Sequence, residues 1–139
     1  MMRMNLQTEN GTSLAQPSAA QLADALDALG TRDNGFAILE SADEHYLQTT
    51  GKRESGYVVE YREGSEQSHH QSVRTDIPHA QMVRVFQAYL AGEPWKQQLE
   101  WAAGFGPDAT SGAALWTFLR PVLLALVVGL VVVALVIQS

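Results

Sequence analysis

Apolar residues first recur at helical spacing at Leu22, Leu26 and Leu29. Ser18 precedes them and Gln21 follows it by three residues, the arrangement of a capping box, with Pro17 just before and Gly30 suited to end the helix. A helix is therefore predicted over 19–29. Upstream, Met2, Met4 and Leu6 alternate with Arg3, Asn5 and Gln7, which predicts a short opening strand.

After Gly30 the period changes from 3.6 to 2. GFAILE, HYLQTT, GYVVEYRE and EQSHHQSV are short, β-branched, aromatic or alternating, and are separated by DNG, SADE, GKRESG and EGS. This pattern predicts an antiparallel meander. In its third strand Tyr57, Val59 and Tyr61 share one face, while Val58, Glu60 and Arg62 share the other. The fourth strand is polar on both faces, as expected of an edge or a solvent-facing strand.

Beyond Ile77 the helical period returns. Pro78 suits a first helical position, Met82, Val83, Phe86, Tyr89 and Leu90 follow, and Gly92 closes the helix. PWKQQLEW then reads as a shorter helical segment with Trp95 and Leu99 four residues apart, and the two helices are expected to pack on the sheet. From 102 to 114 the Gly- and Pro-rich AAGFGPDATSGAA has the composition of a flexible linker.

The last stretch, LRPVLLALVVGLVVVALVIQS, has no polar stripe. Pro121 to Ile137 are seventeen uncharged residues, thirteen of them Val, Leu or Ile. They make about 25 Å of helix, and starting at Trp116 extends this to about 33 Å, enough for a hydrocarbon core of ~30 Å. Residues 115–137 are thus predicted to be a transmembrane helix, with Trp116 and Arg120 as interfacial anchors. Ala125 and Gly129 form a small-xxx-small pair through which two such helices would form a homodimer. The single flanking charge and the short tail orient residues 1–101 to the cytoplasm, as a single-pass protein of the cell inner membrane.

Composition narrows the partners. Residues 1–119 carry eight Lys or Arg against fifteen Asp or Glu, and this acidic balance without a basic cluster argues against nucleic acid. Absence of cysteine excludes disulfides and thiolate chemistry. MMRMNLQTENGT has no apolar run of a secretory signal, which again places the domain on the side of synthesis.

Candidate chemistry is sparse. His69 and His70 are strand neighbours that point to opposite faces, His45 could approach either across a sheet, and His79 begins a helix. No HxH or HxxxH spacing indicates a metal site, and no cofactor is expected. Glu40, Glu60 and Glu63 lie on or beside strands, where a buried pair would serve as acid and base, yet no motif specifies a reaction. Tyr57, Phe86, Tyr89 and Trp95 are expected in the core, while Tyr46 and Trp101 suit core and interface equally.

The order of a helix, GFAILE, YLQT, GYVVEYREGS with a following histidine, IPHAQMVRVFQAYLAGEPW and a closing EW resembles the small bacterial α+β immunity proteins of polymorphic toxin systems over residues 17–101. That resemblance implies binding and neutralising a toxin without catalysis. It implies contact residues at Glu60, Arg62, His69 and His70 on the later strands and at Trp101 in the closing motif. A terminal transmembrane helix is not a usual part of that pattern.

The combined expectation is an α+β domain over 1–101 with an antiparallel sheet of four or five strands packed against helices, a linker over 102–114 and a transmembrane helix over 115–137. Its expected role is protein binding at the bilayer. The alternatives are an assembly or regulatory module for another membrane protein, or a small hydrolase using strand carboxylates and histidines.

Overall fold

The computed structural model describes residues 3 to 42, 45 to 65 and 68 to 103. They fold as an α+β domain whose single antiparallel sheet has seven strands: β1 (Asn5–Thr8), β2 (Ser13–Ala15), β3 (Phe36–Ala42), β4 (His45–Lys52), β5 (Gly56–Glu63), β6 (His69–Ser72) and β7 (Trp101–Ala103). Two helices, α1 (Ala19–Asp27) and α2 (His79–Ala91), complete it. The strand order is β2-β1-β3-β4-β5-β6-β7. The β3 to β6 meander thus forms the middle, flanked on one side by the β1–β2 hairpin and on the other by β7.

α1 starts as the capping box predicts. The Gln21 N–H donates to Ser18 Oγ at 3.1 Å, and the Ser18 N–H donates to Gln21 Oε1 at 2.9 Å. Two otherwise orphaned amides are satisfied, a contribution of about 1 kcal/mol. The helix ends at Asp27, two residues early, because Leu29 turns back onto the Leu26 carbonyl and Gly30 donates to the Asn34 carbonyl. α2 begins after Pro78, which caps the helix from an extended conformation (φ -60°, ψ 147°) and is not itself in the first turn. Gly92 closes it at φ 72°, in the left-handed region that glycine occupies without a Cβ penalty.

Both helices lie on one face of the sheet. Leu22 and Leu26 from α1 and Met82, Val85 and Phe86 from α2 share a buried cluster with Leu6, Leu39, Leu47, Tyr57, Val59 and Tyr61. These strand residues are the alternate positions of β1, β3, β4 and β5, so period 2 and period 3.6 meet in one core. Trp95, Leu99, Tyr89 and Trp101 pack against its margin, half-buried.

The structure differs from expectation in four places. PWKQQLEW supplies only a 3-10 turn, Lys96–Gln98, rather than a second helix on the sheet. The sheet has seven strands rather than four or five, because β2 and β7, of three residues each, are held by pairing with β1 and β6. β7 carries the strand region to Ala103, two residues into the stretch expected as linker. Finally, β6 is an interior strand between β5 and β7, not an edge. Its polar residues are consumed internally: Ser72 Oγ accepts the Val59 N–H at 3.1 Å and donates to the Arg74 carbonyl at 2.7 Å.

Among the described residues no helix is long and apolar enough to cross a membrane. Segment 115–137, with Trp116, Arg120, Ala125 and Gly129, lies outside the described residues, as does the linker beyond 103.

Candidate functional site

The pleat of β4, β5 and β6 decides which candidate residues meet. Glu60 stands opposite Gln48 on one side and Gln71 on the other, and Arg62 stands opposite Tyr46 and His69. These six side chains therefore share the sheet face turned away from α1 and α2. Three of the five residues singled out in the sequence, Glu60, Arg62 and His69, come together there. His70 and Trp101 belong to the helix-bearing face.

At the centre of the first group is a buried polar cluster. Gln48 and Glu60 are each 2% exposed, and Gln48 Nε2 donates to Glu60 Oε2 at 2.5 Å. Glu60 Oε1 lies 3.8 Å from His69 Nε2, and His69 is 8% exposed. A carboxylate so buried is tolerated only where hydrogen bonds or an opposing charge replace its hydration, which Gln48 does in part. The Arg62 guanidinium sits 5.7 Å from the ring centroid of Tyr46, and His69 meets the same ring edge-on at 6.4 Å. Tyr46 is 2% exposed and stands outside the helix-side core, so it is buried on this second face. Half-buried Glu40, Val58, Arg62 and Gln71 surround the cluster.

On the helix-bearing face His70 stacks on Tyr61 with centroids 4.6 Å apart and planes 12° from parallel. Trp101 meets Tyr61 edge-on at 4.7 Å, and its indole N–H donates to the Lys96 carbonyl at 2.8 Å. Burial pushes the Tyr61 phenol above its ordinary range, with the Lys96 ammonium acting in the opposite direction. The Lys96 ammonium pairs with the Glu63 carboxylate. Tyr89 is likewise raised by burial, opposed by its hydroxyl contact with Ser41 at 3.0 Å.

Sequence reading identified Glu60, Arg62 and His69 but passed over Gln48 and did not place Tyr46. Both follow from register: the β4–β5 turn sets Lys52 opposite Gly56, and counting back four residues on β4 reaches Gln48 opposite Glu60. His45 is exposed and stands opposite Glu63 at the strand end. His79 instead ties the helices together, with Nε2 3.2 Å from Asp27 Oδ1 and 3.4 Å from the Leu26 carbonyl. Among the described residues no group of three His, Asp or Glu is placed to hold a metal ion.

Two surface clefts are lined elsewhere. One lies among Ser72, Arg74, Ile77, Gln81 and Leu99, and the other among Gly30, Arg32, Thr50 and Lys52. Comparison of the chain with protein-family models, curated proteins and solved structures finds no match.

Proposed function

We propose that the chain is a membrane-tethered, non-enzymatic protein-binding domain of the immunity type, and that the second sheet face around Glu60, Arg62 and His69 is where it recognises its partner, through the half-buried Arg62, Glu40, Val58 and Gln71 that surround the buried Glu60–His69 pair. The observation that supports this reading is the convergence of these three residues with Tyr46 and Gln48 on one face. A sheet face that combines aromatic rings, an arginine and buried polar groups has the composition of an interface centre. The tether is residues 115–137 as a single-pass helix, with the domain on the cytoplasmic side of the inner membrane.

The test is protection. The full chain is co-produced with any secreted toxin found encoded beside its gene, and growth is compared with that of Arg62→Ala and Glu60→Gln chains produced to the same level. Protection lost in both variants, with direct capture of the toxin by the parent chain, is the expected result. Protection by neither parent nor variants sinks the immunity role. Residues 115–137 are tested separately by extraction, since full release of the chain by alkaline carbonate would rule out a transmembrane helix.

A second reading, a small hydrolase, is favoured by one observation, the 3.8 Å approach of Glu60 to His69. A carboxylate beside an imidazole is an acid–base pair when substrate reaches it. Both groups are buried, however, and the two clefts described above are lined by other residues. Turnover of ester or amide substrates abolished by both Glu60→Gln and His69→Gln would favour this reading over binding.

A further inference from the structure

Tyr61, Trp95 and Trp101 form a corner in which every pair of rings meets edge to face. Centroids are 4.9 Å (Tyr61–Trp95), 4.7 Å (Tyr61–Trp101) and 5.8 Å (Trp95–Trp101) apart, with planes at 82°, 85° and 84°. Tyr61 is nearly buried, whereas both indoles are half-buried and form the outer surface. Trp101 has its N–H already paired with the Lys96 carbonyl. The Lys96 ammonium lies 5.2 Å from the Tyr61 centroid and 5.6 Å from that of Trp95, and its side chain is 47% exposed.

Indole rings beside a lysine stem are the groups that settle at the headgroup level of a bilayer. The position of this corner matters as much as its chemistry. Trp101 opens β7, and Ala103, two residues or about 7 Å further on, is the last described residue. Only residues 104–115 then separate it from the apolar run that begins at Trp116. A random coil of twelve residues would span roughly 19 Å, and a tether of that reach would hold the corner at an effective concentration of about millimolar order near the bilayer surface. At that concentration even a weak interfacial preference fills the contact.

Resting on the reading of residues 115–137 as a membrane helix, we propose that the Trp95–Trp101 corner docks the domain on the lipid–water interface, with zwitterionic headgroups as its occupants. The charge balance selects the headgroup. Glu63 is offset by Lys96, while Glu93 and Glu100 are exposed, so the corner and its margin are net negative and disfavour anionic lipid. Docking by this corner fixes which edge of the sheet faces the bilayer, and leaves the β2 edge on the far side. Six inter-strand spacings, about 29 Å, separate the two edges.

The chain has no cysteine, which permits single labels in the full-length protein. Spin labels are placed at Gln97→Cys, exposed beside the corner, and at Ser13→Cys, exposed on β2. Each full-length chain is reconstituted in phosphatidylcholine vesicles and floated. The expected result is that the label at 97 gains oxygen accessibility and loses accessibility to an aqueous nickel complex, while the label at 13 stays water-exposed. Replacing part of the lipid by phosphatidylglycerol is expected to reduce the gain at 97. A chain that floats but shows water-like accessibility at both positions, or lipid-like accessibility at both, overturns the docking while leaving the membrane helix intact. A chain that does not float overturns both.

Discussion

Gln48 and Glu60 face each other across the β4–β5 pair, and the amide of one donates to the carboxylate of the other at 2.5 Å with both side chains 2% exposed. A side-chain hydrogen bond of this kind contributes about 0.5–1.5 kcal/mol, and more where the carboxyl group is ionised. Gln48→Ala, Glu60→Ala and the double variant are therefore expected to show a coupling energy of that order in urea unfolding. Additivity to within about 0.5 kcal/mol would show that the pair is adjacent without being coupled.

Ser72 replaces a strand amide's ordinary partner. Its hydroxyl accepts the Val59 N–H and donates to the Arg74 carbonyl, at 2% exposure. Ser72→Ala removes a single oxygen and leaves a buried amide without that acceptor, a loss expected at about 1–3 kcal/mol. A shift in the urea midpoint at unchanged slope is the measurement. An unchanged midpoint would mean that water takes over the Val59 N–H.

Tyr57 is fully buried, and its hydroxyl has no hydrogen-bond partner among the described residues. The phenol body fills the core against His79, whose ring lies 5.6 Å away, and the oxygen adds a desolvation cost. Tyr57→Phe keeps the packing and removes that cost, so it is expected to be neutral or to stabilise by up to about 1 kcal/mol. A clear drop in melting temperature would contradict this.

Burial raises the phenols of Tyr57, Tyr61 and Tyr89 above the ordinary value of 10.0. Raised pKa values in the folded state mean that the folded chain holds protons which the unfolded chain releases first. The corresponding stability is complete below about pH 10 and falls as pH rises through the folded-state values. Phenolate absorbance at 295 nm is expected to appear together with loss of far-ultraviolet ellipticity. Phenolate formation well ahead of unfolding would place these rings in contact with water.

The elements with a clean period were legible in the chain, and those defined by long-range pairing were not. In GYVVEYRE the apolar residues Tyr57, Val59 and Tyr61 alternate with Val58, Glu60 and Arg62, and each set occupies the face that the alternation assigns. SLA and WAA are too short to display any period. They become strands because β1 and β6 offer them an open row of amides and carbonyls. For EQSHHQSV, expected as an edge or a solvent-facing strand, the edge fails for the same reason, since nothing local announces that Trp101 will return beside Ser72. The candidate site was half visible: Glu60, Arg62 and His69 were implied by the resemblance to immunity proteins, but Gln48 inside YLQT acquires meaning only once the hairpin register is known. Segment 115–137 was legible as chemistry, by its aliphatic run, and lies outside the described residues.

β2, at one end of the seven-stranded sheet, is only three residues long. An exposed strand edge is a template on which another chain can add, and its hazard grows with its length and flatness. Here the β2 edge offers a template of only three residues, so continuing the sheet from it into the next molecule gains little. For a chain tethered to a bilayer, as proposed above, that would be resistance to two-dimensional aggregation written into this end of the sheet.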